Sequence, residues 1–346
     1  MELSIPATIK KIYPFIFALS FWSISIAPIF KTDVSIATFE DNFLGYETLI
    51  EDFNTLRYLF GDHVFPNVVV GKDGWLFYTG ERAVDDFQLT NPFSDSELSD
   101  YQKGLDTLYF QLQQKGVMLV VFIAPDKNTI YPEYMPDQII KIGTQSRLDQ
   151  IADYMHKYGK APIIDCRLDL LSKSKTEQVF YKTNSHWNPL GEYLAYKKII
   201  SELSQRYPAL VSHPFSDYQV VNAGLITHDI PRIMGIPKIM EEYWTLHPTF
   251  EIGTKINRIP LSDGTNVRFS RNQDQNLPSV LIYHDSFLNG VIPFLEPHFR
   301  QIISIPRTSV PGIWDISWID LAHPDIVIIE SAERFLNYDI FFGIQQ

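Results

Sequence analysis

The stretch SVLIYHDSFLNG, residues 279–290, joins an apolar run to a short polar cluster and indicates the fold of this 346-residue chain. Residues 279–283 are predicted to form a buried strand, because a short run rich in Val, Leu, Ile and Tyr after Pro278 is typical of a sheet interior. Ser286 then follows the carboxyl end of that strand, where open α/β sheets bind their ligands. The alternative, that Ser286 only caps the next helix, is the more frequent role of such a serine.

Other apolar runs on both sides of this stretch predict further strands. VMLVVFIAP, residues 117–125, is the best candidate for a central parallel strand, and APIIDCR, residues 161–167, adds a strand with Asp165 at its end. VVVGKDGWLFYTG, residues 68–80, predicts a hairpin turning at Lys72, Asp73 and Gly74. The runs IISI and DIVIIE predict the last two strands.

Helical patterns alternate with these strands. They lie at residues 39–60, 96–115, 145–158, 189–206 and 288–298. Strands that alternate with helices predict an α/β domain with a mostly parallel sheet.

Composition excludes several classes of protein. The net charge is -12, and the basic residues form no stripe, so the sequence predicts no nucleic-acid partner. Cys166 is the single cysteine, which rules out an intramolecular disulfide and a CxxC metal cluster. The sequence indicates no metal site and no cofactor-binding GxGxxG or P-loop motif.

The amino terminus carries a candidate membrane anchor. KKIYPFIFALSFWSISIAPIFK places Lys10 and Lys11 before an uncharged, mostly apolar run at residues 12–30. That length suits a bilayer span, and the preceding positive charge favours a cytoplasmic amino terminus. We therefore expect an anchor in residues 1–31 and one domain in residues 32–346. A cleaved signal peptide ending near SIA, residues 25–27, is the alternative.

A second polar stretch, YKTNSHWNPLGEY at residues 181–193, contains the main partner for Ser286. His186 lies in a loop just before a predicted helix, and the ordinary pKa of imidazole, about 6.5, suits a general base near neutral pH. The alternative is that His186 only forms hydrogen bonds with polar groups at the amino terminus of that helix. If the fold brings Ser286 and His186 together, they supply the pair that ester attack requires.

Five separated motifs resemble one known family. They are GKDGWLF (71–77), PDKNTIYPEYMP (125–136), NSHWNPLG (184–191), HDSF (284–287) and PDIVIIESAERFL (324–336). In this order they resemble the SGNH-hydrolase-like alginate O-acetyltransferase family of the AlgX and AlgJ type, over nearly the whole chain from about Phe39 to Leu336.

The resemblance implies a fold, a location and a function. It implies a flavodoxin-like, three-layer α/β/α domain that faces the periplasm or cell exterior. Together with the anchor predicted from residues 10–30, it gives an expected single span in the cell inner membrane. It implies acetyl transfer to hydroxyls of an exopolysaccharide, alginate-like or other, with Ser286 as nucleophile and His186 as base. A membrane-bound O-acyltransferase would supply the acetyl group, and no cofactor is expected.

Asn184 departs from the family pattern, which has aspartate two residues before the histidine. A carboxylate stabilises the imidazolium, whereas an amide can only orient it, and the same change in a serine protease costs about 10⁴ in turnover. Three interpretations follow: a slow Ser-His-Asn enzyme, an enzyme in which Asp229 or Asp165 replaces the missing acid, or a polysaccharide-binding assembly subunit without catalysis. Asp285 is expected to be a turn or helix-start residue, and an esterase with the same site remains a further alternative.

A few residues are candidates for contact with the substrate. Lys127 and Asp229 are candidate substrate-binding residues, and Trp187 and Trp75 are candidates for stacking on sugar rings, although aromatic residues near apolar runs usually belong to a core. The Ser286 N–H, at the start of a following helix, is the expected oxyanion donor. The sequence does not identify the polysaccharide or the oligomeric state.

Overall fold

The computed structural model describes residues 46–260, 266–306 and 317–337. Within them lie strands β1 (Val64–Phe65), β2 (Val68–Val70), β3 (Leu76–Tyr78), β4 (Met118–Ala124), β5 (Ile163–Asp165), β6 (Tyr218–Ile226), β7 (Glu241–Pro248), β8 (Thr254–Pro260), β9 (Asn266–Asn272), β10 (Ser279–His284), β11 (Gln301–Pro306) and β12 (Ile326–Ala332). Seven of these strands form one sheet in the order β5-β4-β12-β10-β11-β9-β8.

The centre of this sheet is parallel. Strands β5, β4, β12, β10 and β11 pair in parallel, while β9 and β8 add an antiparallel edge. All residues of β10 are buried, as its apolar run predicted. The expected mostly parallel sheet is confirmed, and Ser286 follows the carboxyl end of one of its central strands.

Helices cover both faces of the sheet. They are α1 (Tyr46–Leu59), α2 (Ala83–Gln88), α3 (Asp95–Gln114), α4 (Lys127–Ile130), α5 (Arg147–Tyr158), α6 (Arg167–Ser174), α7 (Pro189–Leu203), α8 (Asp229–Ile233), α9 (Ile292–Leu295) and α10 (Ser317–Ala322). Alternate side chains of β4 enter different cores: Leu119 and Val121 pack with α3 and α5, whereas Val120 and Phe122 pack with α7. Burial on both faces explains why this strand is apolar throughout.

The structure bears out most of the predicted local elements. The hairpin at residues 68–80 is formed by β2 and β3, which pair in antiparallel. Asp73 and Gly74 provide the positive φ angles of its turn, +52° and +78°. The helices predicted at 96–115 and 145–158 appear as α3 and α5, each with a serine capping box at its start.

The helix predicted at residues 288–298 is wrong as a single element. The chain forms a 3₁₀ turn at Ser286–Gly290, the short α9, and a second 3₁₀ turn at Glu296–His298. Pro293 and Pro297 each lack the N–H that a continuous helix needs, so the segment breaks into separate turns.

The sequence analysis assigned no strand between residues 206 and 279, where the structure has four, and it also missed the two-residue strand β1. Strands β6 and β7 form an antiparallel hairpin of their own, and β8 and β9 extend the main sheet. Strands β6 and β8 are largely exposed, and β7 and β9 are mostly half-buried. All four therefore contain polar residues and lack the continuous apolar run by which a buried strand is recognised.

The predicted anchor at residues 12–30 and the predicted boundary between residues 31 and 32 both lie outside the described residues. Among the residues that are described, no helix has the length and apolar character to cross a bilayer.

Candidate active site

The carboxyl end of the loop that carries His186 is fixed by hydrogen bonds to helix α7. Asn188 caps α7, because its Oδ1 accepts hydrogen bonds from the N–H groups of Leu190 and Gly191. Pro189 occupies the first turn, where no N–H is required. His186 therefore lies three residues before the first residue of α7 and two residues before its cap.

The carbonyl side of the same loop is held by Lys127. Its Nζ donates to the carbonyl oxygens of Asn184 at 2.7 Å, Lys182 at 2.9 Å and Tyr181 at 3.3 Å. Burial lowers the pKa of Lys127 to about 7, and the nearby carboxylates of Asp229 and Glu241 oppose that shift. The side chain is only 3% exposed, so it acts on the loop and not on an open surface.

The amide side of the loop is held by Glu241 of β7. Its carboxylate accepts from the N–H of Lys182 at 3.0 Å, and from the N–H and hydroxyl of Thr183 at 2.9 Å and 2.7 Å. Lys127 and Glu241 thus bind opposite polar groups of the same backbone, which fixes the residues just before His186.

The turn that carries Ser286 is anchored through Asp285. One carboxylate oxygen of Asp285 accepts from the Phe287 N–H at 2.9 Å and the other from the Ala332 N–H at 2.7 Å. The Asp285 N–H donates to Glu330, whose pKa burial raises well above its ordinary value. Asp285 is therefore the turn residue that the sequence predicted.

Ser286 and His186 meet although they are 100 positions apart. The Ser286 hydroxyl lies 2.7 Å from His186 Nε2, within the range predicted for a nucleophile and its base. Ser286 is exposed and His186 is partly exposed, so a ligand can reach both.

Asn184 sets the tautomer of His186. Its Oδ1 lies 3.0 Å from the His186 backbone N–H and 3.0 Å from His186 Nδ1. Its Nδ2 lies 2.9 Å from Nδ1 of His228. Since an amide oxygen only accepts and an amide nitrogen only donates, the proton of His186 lies on Nδ1 and its Nε2 is free to accept from Ser286.

His228 holds Asn184 in that orientation, and the sequence analysis did not single it out. Burial lowers the pKa of His228, which keeps the imidazole neutral and its Nδ1 able to accept the amide N–H. The ring packs 4.5 Å from that of Tyr181, centroid to centroid. The only feature of the sequence that pointed to His228 was its position directly before Asp229 in THDIPRIMG.

Asp229 supplies a negative charge beside the pair. Its Oδ2 lies 3.7 Å from His186 Nδ1 and also accepts from the Ser185 hydroxyl, while its Oδ1 accepts from the Ser185 N–H at 2.9 Å. Burial lowers the pKa of His186, and the Asp229 charge partly restores it. Nδ1 of His186 therefore faces both an uncharged acceptor, Asn184, and a nearby negative charge, Asp229.

Comparison with known proteins gives the chain a family. Residues 68–244, half of the chain, match the family described as "SGNH hydrolase-like domain, acetyltransferase AlgX". The chain belongs to this family. The matched segment contains Asn184, His186 and Asp229 and ends before Ser286.

Curated relatives carry the name "Probable alginate O-acetylase AlgJ". The protein from Pseudomonas syringae pv. tomato is 29% identical over 151 residues, which cover 41% of this chain and 35% of the relative. The protein from Pseudomonas aeruginosa is 29% identical over 147 residues, with 41% and 34% covered. The match thus spans about a third of the length of these relatives.

Solved structures share the fold at low sequence identity. The Bacillus cereus protein PatB1 is 15% identical, with a TM-score of 0.60 over 79% of this chain and 98% of that one. A DHHW family protein from Eubacterium siraeum is 16% identical, with a TM-score of 0.57 over 82% and 96%. The O-acetyltransferase domain of Pseudomonas putida AlgJ is 19% identical, with a TM-score of 0.50 over 79% and 92%. These likenesses bear out the α/β fold, which the family match describes as SGNH hydrolase-like.

In this AlgX-type domain, several other predicted residues lie apart from the pair. Asp165 binds Arg167 at 2.6 Å, so that of the two candidate acids only Asp229 contacts His186. Trp187 is 2% exposed and donates its indole N–H to the Phe287 carbonyl, and Trp75 is 2% exposed against Tyr131 and Tyr134. The two tryptophans belong to the core and do not offer a free face to a sugar ring.

The expected dipole at Ser286 is also wrong. The element that begins there is a 3₁₀ turn, Ser286–Gly290, which has too few aligned peptide units to build a helix dipole. The Ser286 N–H stays a predicted oxyanion donor by its position alone. In the described part of the chain, no His, Cys, Asp and Glu cluster has the arrangement of a metal site.

A cleft of about 450 Å³ opens beside Ser286 and His186. One wall comes from the β6–β7 hairpin, through Tyr243 and Leu246 among others, and the other from the segment after Ser286. Its volume lies within the range of about 300–1,000 Å³ typical of small-ligand sites. The exposed serine therefore faces a space that can hold a substrate.

Proposed function

We propose that this protein is an O-acetyltransferase that moves acetyl groups to hydroxyls of an exopolysaccharide. The observation that carries the proposal is the 2.7 Å contact of Ser286 with His186, whose Nδ1 faces Asn184 and Asp229, in a domain of the AlgX-type family. The relatives named as alginate O-acetylases support the acyl group and the class of acceptor.

The first half of the reaction acetylates the enzyme. The Ser286 hydroxyl gives its proton to His186 Nε2 while Oγ attacks the carbonyl carbon of an acetyl ester. The tetrahedral oxyanion collapses, the bond to the leaving oxygen breaks, and His186 returns the proton to that oxygen. Asp229 stabilises the transient imidazolium and Asn184 holds its Nδ1–H.

The second half transfers the group to the acceptor. A sugar hydroxyl in the cleft gives its proton to His186 Nε2 and attacks the acetyl-serine ester. Collapse of the second tetrahedral intermediate breaks the bond to Ser286 Oγ, which takes the proton back. Water in place of the sugar gives an esterase, so the difference between the two activities lies in the occupant of the cleft.

We further propose that the domain works outside the cytoplasmic membrane of the cell, in the periplasm or at the cell exterior. The apolar run at residues 12–30 behind Lys10 and Lys11 supports an anchor in the inner membrane with the domain on the outer side. Acetyl donors made in the cytoplasm would then need an export step, and a membrane-bound O-acyltransferase partner fits that need.

The test uses the full-length chain in detergent with a chromogenic acetyl ester, with and without oligosaccharide acceptors. Wild type should accumulate an acetyl group on Ser286, seen by peptide mass analysis, and Ser286→Ala should lose both the adduct and turnover. Ser204→Ala, at the end of α7, is the matched control and should keep both. Hydrolysis without transfer to any acceptor would favour the esterase.

A separate result would favour the assembly subunit. If wild type and Ser286→Ala are equally inert, Asn184→Asp restores nothing, and the protein still binds polysaccharide, the transferase proposal fails.

A further inference from the structure

Glu192 is an ionisable side chain of the cleft that neither half of the acetyl transfer uses. It lines the cleft together with Ser286 and His186. Glu192 lies in the first turn of α7, the helix that begins three residues after His186. One helix start therefore positions both the candidate base and this carboxyl group.

The carboxyl group of Glu192 lies against the turn that carries Ser286. A Cβ at Gly290, the last residue of that turn, would overlap Glu192 Oε1 and lie 2.7 Å from Oε2, so both oxygens rest on the Gly290 backbone. A 3₁₀ turn rises about 2 Å per residue, which places Gly290 about 8 Å along the turn from Ser286. A sugar with one hydroxyl at Ser286 can therefore present another oxygen to Glu192.

The cleft holds an acid and a base side by side. Burial lowers the pKa of His186 and raises that of Glu192 to about 8. Near neutral pH the imidazole is therefore mostly a neutral base and the carboxyl mostly a neutral acid. A protonated carboxyl has one O–H to donate and an oxygen that accepts, and a sugar hydroxyl can use both.

The walls near Glu192 also suit a sugar. Tyr243 of β7 and Tyr181 of the loop line the same cleft, and both lie close enough for the Glu192 charge to add to the rise in pKa that burial causes in each phenol. Aromatic side chains beside a few fixed hydrogen-bonding groups are typical of small-ligand sites. Glu192 is one of the fixed groups of this site.

We propose that Glu192 is an acceptor-binding residue, whose carboxyl group hydrogen-bonds to an oxygen of the sugar while a hydroxyl of that sugar attacks the acetyl-serine ester. This inference rests on the proposed acetyltransferase function and names a residue that favours sugar over water in its second half. A sugar held at two points keeps its attacking hydroxyl in place, which water is not. The contact needs only a sugar oxygen, so it serves neutral sugars and uronates alike.

The pH dependence of this preference follows from the same group. Glu192 donates only while it is protonated, so the preference for sugar over water should fall as the pH rises through about 8. The other titratable side chains among the described lining residues are one histidine and three tyrosines: His186, Tyr181, Tyr218 and Tyr243. Burial lowers the pKa of the histidine and raises those of the tyrosines, which moves all four away from pH 8.

The test measures how the acetyl-enzyme divides between sugar and water. Full-length protein in detergent receives a chromogenic acetyl ester together with mannuronate oligomers or cello-oligosaccharides. Mass spectrometry counts the acetyl groups on the sugar, released acetate is measured in the same sample, and Ser286→Ala supplies the blank for spontaneous hydrolysis. The ratio of transfer to hydrolysis cancels effects on formation of the acetyl-enzyme, including the titration of Lys127, whose pKa is about 7.

Glu192→Ala should lower this ratio about 3- to 10-fold at neutral pH, the effect of one hydrogen bond, through a higher KM for the sugar. Glu192→Gln keeps a donor and an acceptor at the same place, so it should retain most of the ratio, and it should keep that ratio about one unit above the Glu192 pKa, where wild type loses it. Glu202→Ala, in the last turn of the same helix, should match wild type. Thermal unfolding of each variant verifies that it is folded.

The outcomes separate this inference from the function on which it rests. An unchanged ratio in Glu192→Ala would overturn the inference and leave the transferase in place. Equal losses in Glu192→Gln and Glu192→Ala, or the same pH dependence in Glu192→Gln and wild type, would overturn it as well.

Binding decides the inference if the transferase itself fails. Ser286-dependent hydrolysis without transfer to either sugar would reject the proposed function, and calorimetry with Ser286→Ala would then test the contact alone. Adding Glu192→Ala to that variant should weaken sugar binding about 3- to 10-fold. Equal binding by the two proteins, or binding of neither sugar, would overturn the inference.

Discussion

Replacement of Asp229 by asparagine tests whether a charge beside His186 compensates for the missing family aspartate. Asp229→Asn keeps the shape of the side chain and an oxygen to accept the Ser185 N–H, but it removes the negative charge 3.7 Å from His186 Nδ1. The hydrogen bond from Nδ1–H to Asn184 is unaffected. The substitution therefore separates charge from orientation.

The expected loss follows from the distance and the exposure. Two unit charges 3.7 Å apart interact by about 4–5 kcal/mol at an effective dielectric constant of about 20. The His186 and Asp229 side chains are 27% and 34% exposed, so water screens part of this interaction. We halve it to about 2 kcal/mol, which corresponds to a loss of about 30-fold in kcat/KM.

The pH dependence of kcat/KM provides a second test of the Asp229 charge. His186 acts as a base only when it is neutral, so kcat/KM falls as the pH drops through its pKa. Asp229 raises that pKa, and its loss lowers it. We expect the acid limb of the profile to move to lower pH in Asp229→Asn.

The assay is hydrolysis of a chromogenic acetyl ester by the full-length chain across pH 5 to 9, a range of about two units on each side of neutrality. Asp165→Asn is the control, because Asp165 pairs with Arg167 and not with His186. A loss below about threefold with an unmoved acid limb would refute the role of the Asp229 charge. A loss near 10⁴, as in a protease triad, would mean that Asp229 and not Asn184 orients the imidazole.

Three other substitutions test the surroundings of the pair. His228→Phe removes the acceptor for the Asn184 amide, and loss of a hydrogen bond worth about 0.5–1.5 kcal/mol should lower kcat about 3- to 10-fold. The control is His247→Phe, at an exposed histidine, which should leave kcat unchanged. Asn184→Asp should change kcat by less than about tenfold in either direction, because the negative charge of Asp229 is already present. If no acid were near His186, the same substitution could raise kcat by up to about 10³. Lys127→Met leaves one buried and two part-buried carbonyls without their donor and should destabilise the protein by about 2–4 kcal/mol. An unchanged denaturation midpoint would contradict that assignment.

The sequence by itself determined the layers of the fold. Buried parallel strands need apolar side chains on both faces, so β4, β10 and β12 appear as continuous apolar runs that can be read without a structure. The position of Ser286 after β10 follows from the same reading, since the carboxyl end of a parallel strand is where such sheets bind ligands. The family motifs added the pairing of Ser286 with His186.

Tertiary structure alone decided how the site is completed. Asn184 comes from one loop, whereas His228 and Asp229 lie at the start of α8, about 44 positions away. No local pattern in the sequence indicates that His228 orients the amide of Asn184 toward His186. Segments far apart in the sequence come together because of the path that the backbone takes through the fold. Such a contact produces no periodic pattern of residues in either segment.

The cleft was likewise decided by packing at a distance. The β6–β7 hairpin that forms one wall is half exposed, and Glu192 is an ordinary polar residue of a first helical turn until Gly290 packs against it. Local sequence reports the balance of apolar and polar residues within one element, whereas the charge and shape of a cavity depend on which elements face each other. Therefore the sequence predicted Ser286 and His186 as the candidate pair, and the folded chain determined the groups that surround them.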